Sequence, residues 1–300
     1  MSLFNQLVEQ ALSNNAELTQ LRIVVEKELL HHDILRIMSE NSFLQELCFI
    51  GGTCLRACYG SNRLSEDLDF TGGSDFNRET LVTLKSALER GLHTKYGLNT
   101  EVSEPKKETG NVDTWKLRIQ TRQERKDLPA QRINIDICAI PSYQVQPKVL
   151  LNAYGVNMGT DGLIINAQTL EEIYADKILA FALRRGRIKN RDLWDLLWLK
   201  QHNIKPAFEL INKKLTDHQR TQAEFIDLAN ERAKSLAIDA SIKHEFRQEM
   251  QRFLPTQIVA NTINNEQFWN YLINEIPQLI QQTEQYLAGN LTRGNQGFLM

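Results

Sequence analysis

The sequence predicts an α+β protein, with a mixed sheet-and-helix core over residues 1–165 and a helical domain over 166–300. Three observations lead there. Leu47-Cys48-Phe49-Ile50 is a short apolar run that stops at Gly51-Gly52, the pattern of a buried strand entering a glycine turn. Ile133-Asn134-Ile135-Asp136-Ile137 alternates with period two, as a half-buried strand does. From Lys205 onward the pattern is almost wholly helical.

The other elements follow in order. Residues 1–46 read as helices, with Leu21, Val24, Val25, Leu29, Ile34, Leu35 and Met38 at helical spacing. Thr53 to Tyr59 forms a helix that Gly60 ends. A second strand covers about Leu64–Phe70 and stops at Gly72-Gly73. Residues 77–92 look helical, and 97–103 and 115–121 look strand-like, with a charged connection from Glu104 to Thr114. Thr169-x-x-Glu172 is a capping box that opens a helix, and a break near Gly186 precedes another over about 190–201. Gly289, Gly294 and Gly297 mark a looser tail.

Composition narrows the classes. The chain has 300 residues, 42% hydrophobic and 24% charged, as an ordinary globule does. Its net charge of −2 points to no polyanion globally, so a nucleic acid would be met by a local basic patch. Cys48, Cys54, Cys58 and Cys138 form no C-x-x-C pair, which favours reduced, structural thiols. No secretory leader and no run of 18 apolar residues is seen, so the expected setting is the cytoplasm, without a membrane.

The chemistry begins at Arg63-Leu64-Ser65-Glu66-Asp67-Leu68-Asp69-Phe70. Residues two apart on a strand share a face, so Asp67, Asp69 and Ser65 project together while Leu64, Leu68 and Phe70 turn inward. Adjacent carboxylates repel, and Mg²⁺ or Mn²⁺ relieves the repulsion while taking phosphate oxygens as well. Asp67 and Asp69 alone also read as two solvated acids at a strand end. Asp136, flanked by isoleucines, needs a partner or a metal; Arg132 and Arg118 are the other candidates. If its strand lies beside the first, three carboxylates meet, as two-metal phosphoryl transfer requires. Gly51-Gly52-Thr53 runs from strand to helix start and offers bare N–H groups, plus a hydroxyl, to a phosphate.

These residues resemble the first motif of the AbiEii/AbiGii nucleotidyltransferase toxins, of the DNA polymerase β-like nucleotidyltransferase superfamily. The resemblance continues through Asp136, Glu171-Glu172-Ile173-x-Ala175-Asp176-Lys177-Ile178-x-Ala180 and Arg191-Asp192-Leu193-Trp194-Asp195-Leu196, covering about residues 45–200. It implies a polymerase β-like core joined to a helical C-terminal domain, and an antitoxin encoded nearby. It implies metal binding by Asp67, Asp69 and Asp136. Lys177 would meet the triphosphate with Gly51, Gly52, Thr53, Ser65 and Arg191, and Asp192 would join the catalytic set by orienting these cations or holding the acceptor.

The implied reaction moves a nucleoside monophosphate from an NTP to an RNA acceptor, a tRNA 3′ end, in a toxin–antitoxin or abortive-infection system acting in phage defence. Two alternatives stay open: a protein acceptor, and a module that binds NTP or RNA without turnover. Seven Lys or Arg between Lys177 and Lys200, against Asp192 and Asp195, supply a basic patch for either nucleotide or RNA. Trp194 and Trp198, four apart, read as core.

Overall fold

The computed structural model describes residues 2–106, 111–122, 124 and 127–289. The chain divides into two units, Met1–Thr169 with Arg252–Ile258, and Leu170–Gln251 with Val259–Met300. The connection expected at 104–114 lies partly outside the described residues, and Gly294 and Gly297 of the expected tail lie wholly outside them.

The first unit opens with helices α1 (Leu3–Asn14) and α2 (Arg22–Glu40), separated by a 3₁₀ turn over Ala16–Leu21. Strand β1 (Cys48–Ile50) runs into α3 (Gly51–Tyr59). There follow β2 (Leu68–Thr71), a 3₁₀ turn at Arg78–Leu81, α4 (Leu84–Tyr96), β3 (Asn99–Ser103), β4 (Val112–Gln120) and β5 (Gln131–Cys138). β6 (Val145–Val149) and β7 (Ile164–Gln168) complete a seven-stranded sheet in the order β3-β4-β5-β2-β1-β7-β6. The sheet is mixed: β2 runs parallel to β5 and β1 to β7, and the other neighbours are antiparallel.

Alternation produces this sheet. Ile133, Ile135 and Ile137 are completely buried beside Trp115, Leu117 and Ile119 of β4. The ring of Phe49 stacks on Phe70 at 5.0 Å across β1 and β2. Helix α2 packs on α4 and β5, and α4 on β3. α3 ends at Gly60, whose φ of 75° is the left-handed conformation that glycine adopts without a Cβ clash.

Two strands have no counterpart in the sequence reading. β6 is an edge strand with Pro147 at its centre and exposed Val145 and Val149, so it lacks a buried face to mark it. β7 is short, and its place beside β1 comes from a long-range parallel contact. β2 also starts later than expected. Residues 64–67 are held by side chains from α2 and α3 and by the Phe253 carbonyl, which accepts the Leu64 N–H at 2.8 Å.

The second unit is helical: α5 (Leu170–Leu183), α6 (Asn190–Gln201), α7 (Phe208–Asp217), α8 (Gln222–Ile238), α9 (Ala240–Met250) and α11 (Glu266–Leu287), with α10 (Thr256–Asn261) at the junction of the two sequence segments. Tyr174, Phe181, Trp194 and Trp198 are buried in its core, and Trp194 lies 5.6 Å from the Phe268 ring. Among the described residues no helix is long and apolar enough to cross a membrane.

Candidate active site

Asp69 and Asp136 are the centre of the site. β2 and β5 pair in parallel with Asp69 directly beside Asp136, so the two aspartates share one rung of the ladder. Adjacent strands are about 4.8 Å apart, and like charges across such a rung destabilise a sheet. Both residues are half-buried, whereas Phe70 and Ile137, next in each strand, are buried. On the far side of Asp136, Thr114 of β4 stands in register and donates its hydroxyl to Oδ1 at 2.6 Å. On the far side of Asp69 stands Ile50, and then Gly51.

Gly51 is shaped by that neighbour. Its φ is 75°, and a Cβ built on it would lie 2.9 Å from Asp69 Oδ2. Only glycine lets the chain turn here and approach the carboxylate so closely. The turn starts α3, whose N-cap Ile50 makes no side-chain cap. The first N–H groups of the helix, at Gly51 and Gly52, therefore head the helix dipole without a side-chain acceptor at the cap, beside the acids.

Asp67 takes a different position. It precedes β2, and its Oδ1 accepts the Asn134 N–H at 2.9 Å. The structure thus brings Asp69 and Asp136 together and anchors Asp67 to the same strand β5, two residues upstream of Asp136. Thr53 and Ser65 are buried and turned toward each other, with hydroxyls 2.6 Å apart. Thr53 also donates to the Asp67 carbonyl oxygen. A hydroxyl has one hydrogen, so Thr53 spends its donor on the backbone of the aspartate loop.

A divalent cation fits this donor set. Carboxylate oxygens are hard ligands, and Mg²⁺ is held by one or two carboxylates together with water and substrate phosphates. The Asp69–Asp136 pair supplies two carboxylates. Among the described residues no three His, Cys, Asp or Glu side chains form a group that could hold a metal by themselves. The pair, and not a closed triad, is what the fold presents, with Asp67 as the adjoining acid.

The second unit carries its own charged cluster. Lys177 of α5 lies 2.6 Å from Asp192 and 2.8 Å from Asp195 on α6, two acids one turn apart. Arg184 reaches Asp192 at 3.2 Å, and Arg191 reaches Glu249 at 3.3 Å. Burial alone would raise the Asp192 pKa; Lys177, Arg184 and Lys189 outweigh it and hold the carboxyl well below the usual range. Burial in turn lowers Lys189 to about 8, against the opposing pull of Asp192. The basic stretch 177–200 is largely matched inside this unit, because Arg187 also faces Glu245 and Lys200 faces Glu275. Its sequence net charge overstates what it offers a polyanion.

Sequence reasoning passed over Lys27, Glu28 and His31, which hold residues 65–66 from α2. An ordinary helical face with buried Glu28 and His31 was the only available signal, and helical periodicity does not report buried charge.

The model of the AbiEii family, described as nucleotidyl transferase AbiEii toxin of a type IV toxin–antitoxin system, matches residues 33–274. Among curated proteins no sequence match is found. Among solved structures, MenT4, a nucleotidyltransferase toxin from Mycobacterium tuberculosis, superimposes with a TM-score of 0.57 at 14% identity, covering 96% of this chain and 99% of that one. JHP933 from Helicobacter pylori superimposes with a TM-score of 0.51 at 20% identity, covering 89% of this chain and 95% of that one. At such identities the structural likeness speaks for the fold, and it agrees with the mixed sheet and helical second unit. The family match covers most of the chain, a span that includes the carboxylate pair and the glycine turn: the chain belongs to the AbiEii family of nucleotidyltransferase toxins of type IV toxin–antitoxin systems.

Proposed function

We propose that the protein transfers a nucleoside monophosphate from an NTP to an RNA acceptor, a tRNA 3′ end, with Mg²⁺ or Mn²⁺ at Asp69 and Asp136 and with Asp67 completing the site. The observation that carries this reading is the like-charged pair in register on β2 and β5, beside a glycine whose missing Cβ leaves room at Asp69. When bound, the metal would supply Lewis acidity toward the acceptor hydroxyl and charge neutralisation at the leaving pyrophosphate.

The residues of the chain divide the remaining work. Gly51 and Gly52 present backbone N–H groups to phosphate oxygens at the positive end of α3. Thr53 and Ser65 hold the aspartate loop in place. Asp136, kept in one orientation by Thr114, is the acid nearest in character to a base for the acceptor hydroxyl. In the second unit, Lys177 is the cation assigned to the triphosphate; Asp192 and Asp195 orient it, and Arg191 adds a second cation. Family membership supplies the antitoxin as the natural protein partner.

Incubation of the protein with α-labelled NTPs, total RNA and cell protein tests the reading. Label is expected in RNA at the tRNA 3′ end and absent with Asp69→Asn. Label in protein would move the acceptor to a side chain. Full incorporation by Asp69→Asn and Asp136→Asn would overturn the site.

A further inference from the structure

Three consecutive contacts run from one face of α2 to the segment that carries Asp67. Lys27 Nζ lies 2.7 Å from the Glu66 carboxylate, with both side chains mostly buried. Glu28 Oε1 accepts the Ser65 N–H at 2.7 Å. His31 Nε2 lies 3.0 Å from the Glu66 carbonyl oxygen. Since a carbonyl only accepts, Nε2 carries the hydrogen and His31 is the donor. Positions 27, 28 and 31 share a helix face by their i, i+3 and i+4 spacing.

These side chains have few alternatives. Glu28 and His31 are buried. The other Glu28 oxygen takes Arg56 Nε of α3 at 3.1 Å and the Tyr154 hydroxyl. One carboxylate therefore ties α2 to α3, to the Tyr154 loop and to Ser65. From Ser65 the chain of bonds continues through Thr53 to the Asp67 carbonyl. Residues 65–67 form no strand pairs of their own, so these contacts replace a ladder in fixing their backbone. Burial of a carboxylate and an imidazole is costly unless each is paired, and here the pairing is directed at the loop.

We propose that the Lys27–Glu28–His31 face of α2 is a positioning clamp for residues 65–67, setting where Asp67 sits beside the Asp69–Asp136 pair. All three residues precede the span matched by the family model. The inference rests on the metal reading above. It predicts that loosening the clamp weakens metal binding through the loop, without touching a ligand.

The test compares Lys27→Met, His31→Leu and His31→Gln with the wild-type chain. Two readouts apply: amide hydrogen exchange of residues 63–69, and Mn²⁺ affinity by electron paramagnetic resonance without nucleotide. Tyr96→Phe, which removes a buried hydrogen bond to Asp33 elsewhere on α2, serves as the destabilised control. Lys27→Met and His31→Leu are expected to speed exchange of the segment and weaken Mn²⁺ binding about tenfold. Gln at position 31 keeps an N–H donor and is expected to recover most of the affinity, while Tyr96→Phe leaves it unchanged. Should His31→Leu fail to fold, Lys27→Met, which removes one ion pair and leaves the Glu28 and His31 bonds in place, decides. Wild-type Mn²⁺ binding that survives the substitutions, or equal weakening by Tyr96→Phe, overturns the clamp alone. A wild-type chain that binds no Mn²⁺ overturns the metal assignment and the clamp together.

Discussion

The charged cluster of the helical unit and the Asp69–Asp136 rung of the sheet unit set acidic side chains in opposite surroundings. In the helical unit the acids of the central cluster meet cations: buried Asp192 and Asp195 share Lys177, and buried Glu172 and half-buried Asp176 share Lys214 at 2.7 Å each. In the sheet unit, what stands beside Asp69 across the ladder is Asp136, another carboxylate. A matched buried ion pair is organised for folding. A like-charge rung opposes folding, and its retention is understandable if something outside the chain completes it. On the function proposed above, the difference predicts which residues' loss harms stability and which residues' loss harms chemistry.

The largest expected effect breaks the sheet side of that contrast. Asp69→Asn or Asp136→Asn should lower the transfer rate about a thousandfold, since several kcal/mol of charge stabilisation go with the metal site. The melting temperature should hold or rise, because a like-charge contact is removed; calorimetry beside single-turnover kinetics reads both. Lys214→Met should do the reverse. It takes a cation away from Glu172, which has no exposed surface, and should cost about 3–5 kcal/mol in urea unfolding. If Lys214→Met left stability intact, the helical cluster would be no structural network and the comparison would fail.

A third expectation sharpens the role of burial within the first unit. Burial pushes His32 down to about 4, outweighing the pull of Glu28, and its Nδ1 sits 2.9 Å from the Thr160 hydroxyl. The folded pKa lies below the unfolded one, so the unfolded chain binds the extra proton. Stability is therefore full above about pH 6.5 and falls as pH drops toward 4, by about 3 kcal/mol for this group. Chemical denaturation across that range, with His32→Gln flattening the slope, checks it. The smallest effect is at Gly51. Gly51→Ala forces a side chain into the left-handed region and against Asp69, and should cost about 1–2 kcal/mol of stability. Its transfer activity should fall further than that loss explains, because Asp69 has to move.

Much of the candidate site was legible because its signals are local. Gly51-Gly52 at the end of an apolar run marked the turn, and alternation around Asp136 marked its strand and its face. The helical half was legible as helices from spacing alone, and Trp194 and Trp198 as core. Other features were not local. Asp67, expected within the strand Leu64–Phe70, lies before β2 in a segment fastened by α2, some 40 residues earlier in the chain. Thr53 faces Ser65 and the Asp67 carbonyl, an orientation that no dipeptide encodes. The basic stretch after Lys177 finds acids on α9 and α11, so its apparent charge is spent at a distance in sequence.

By itself the sequence determined most of the helices, five of the seven strands (β6 and β7 excepted) and which acids could meet, because period, glycine placement and apolar runs act within a few residues. Only the tertiary structure decided that Asp69 and Asp136 share a rung while Asp67 is tied to Asn134. It also decided that α2 holds residues 65 and 66, just before Asp67. Register and buried hydrogen bonds join residues that are distant in the chain, and the energies that select them appear only when the sheet is assembled.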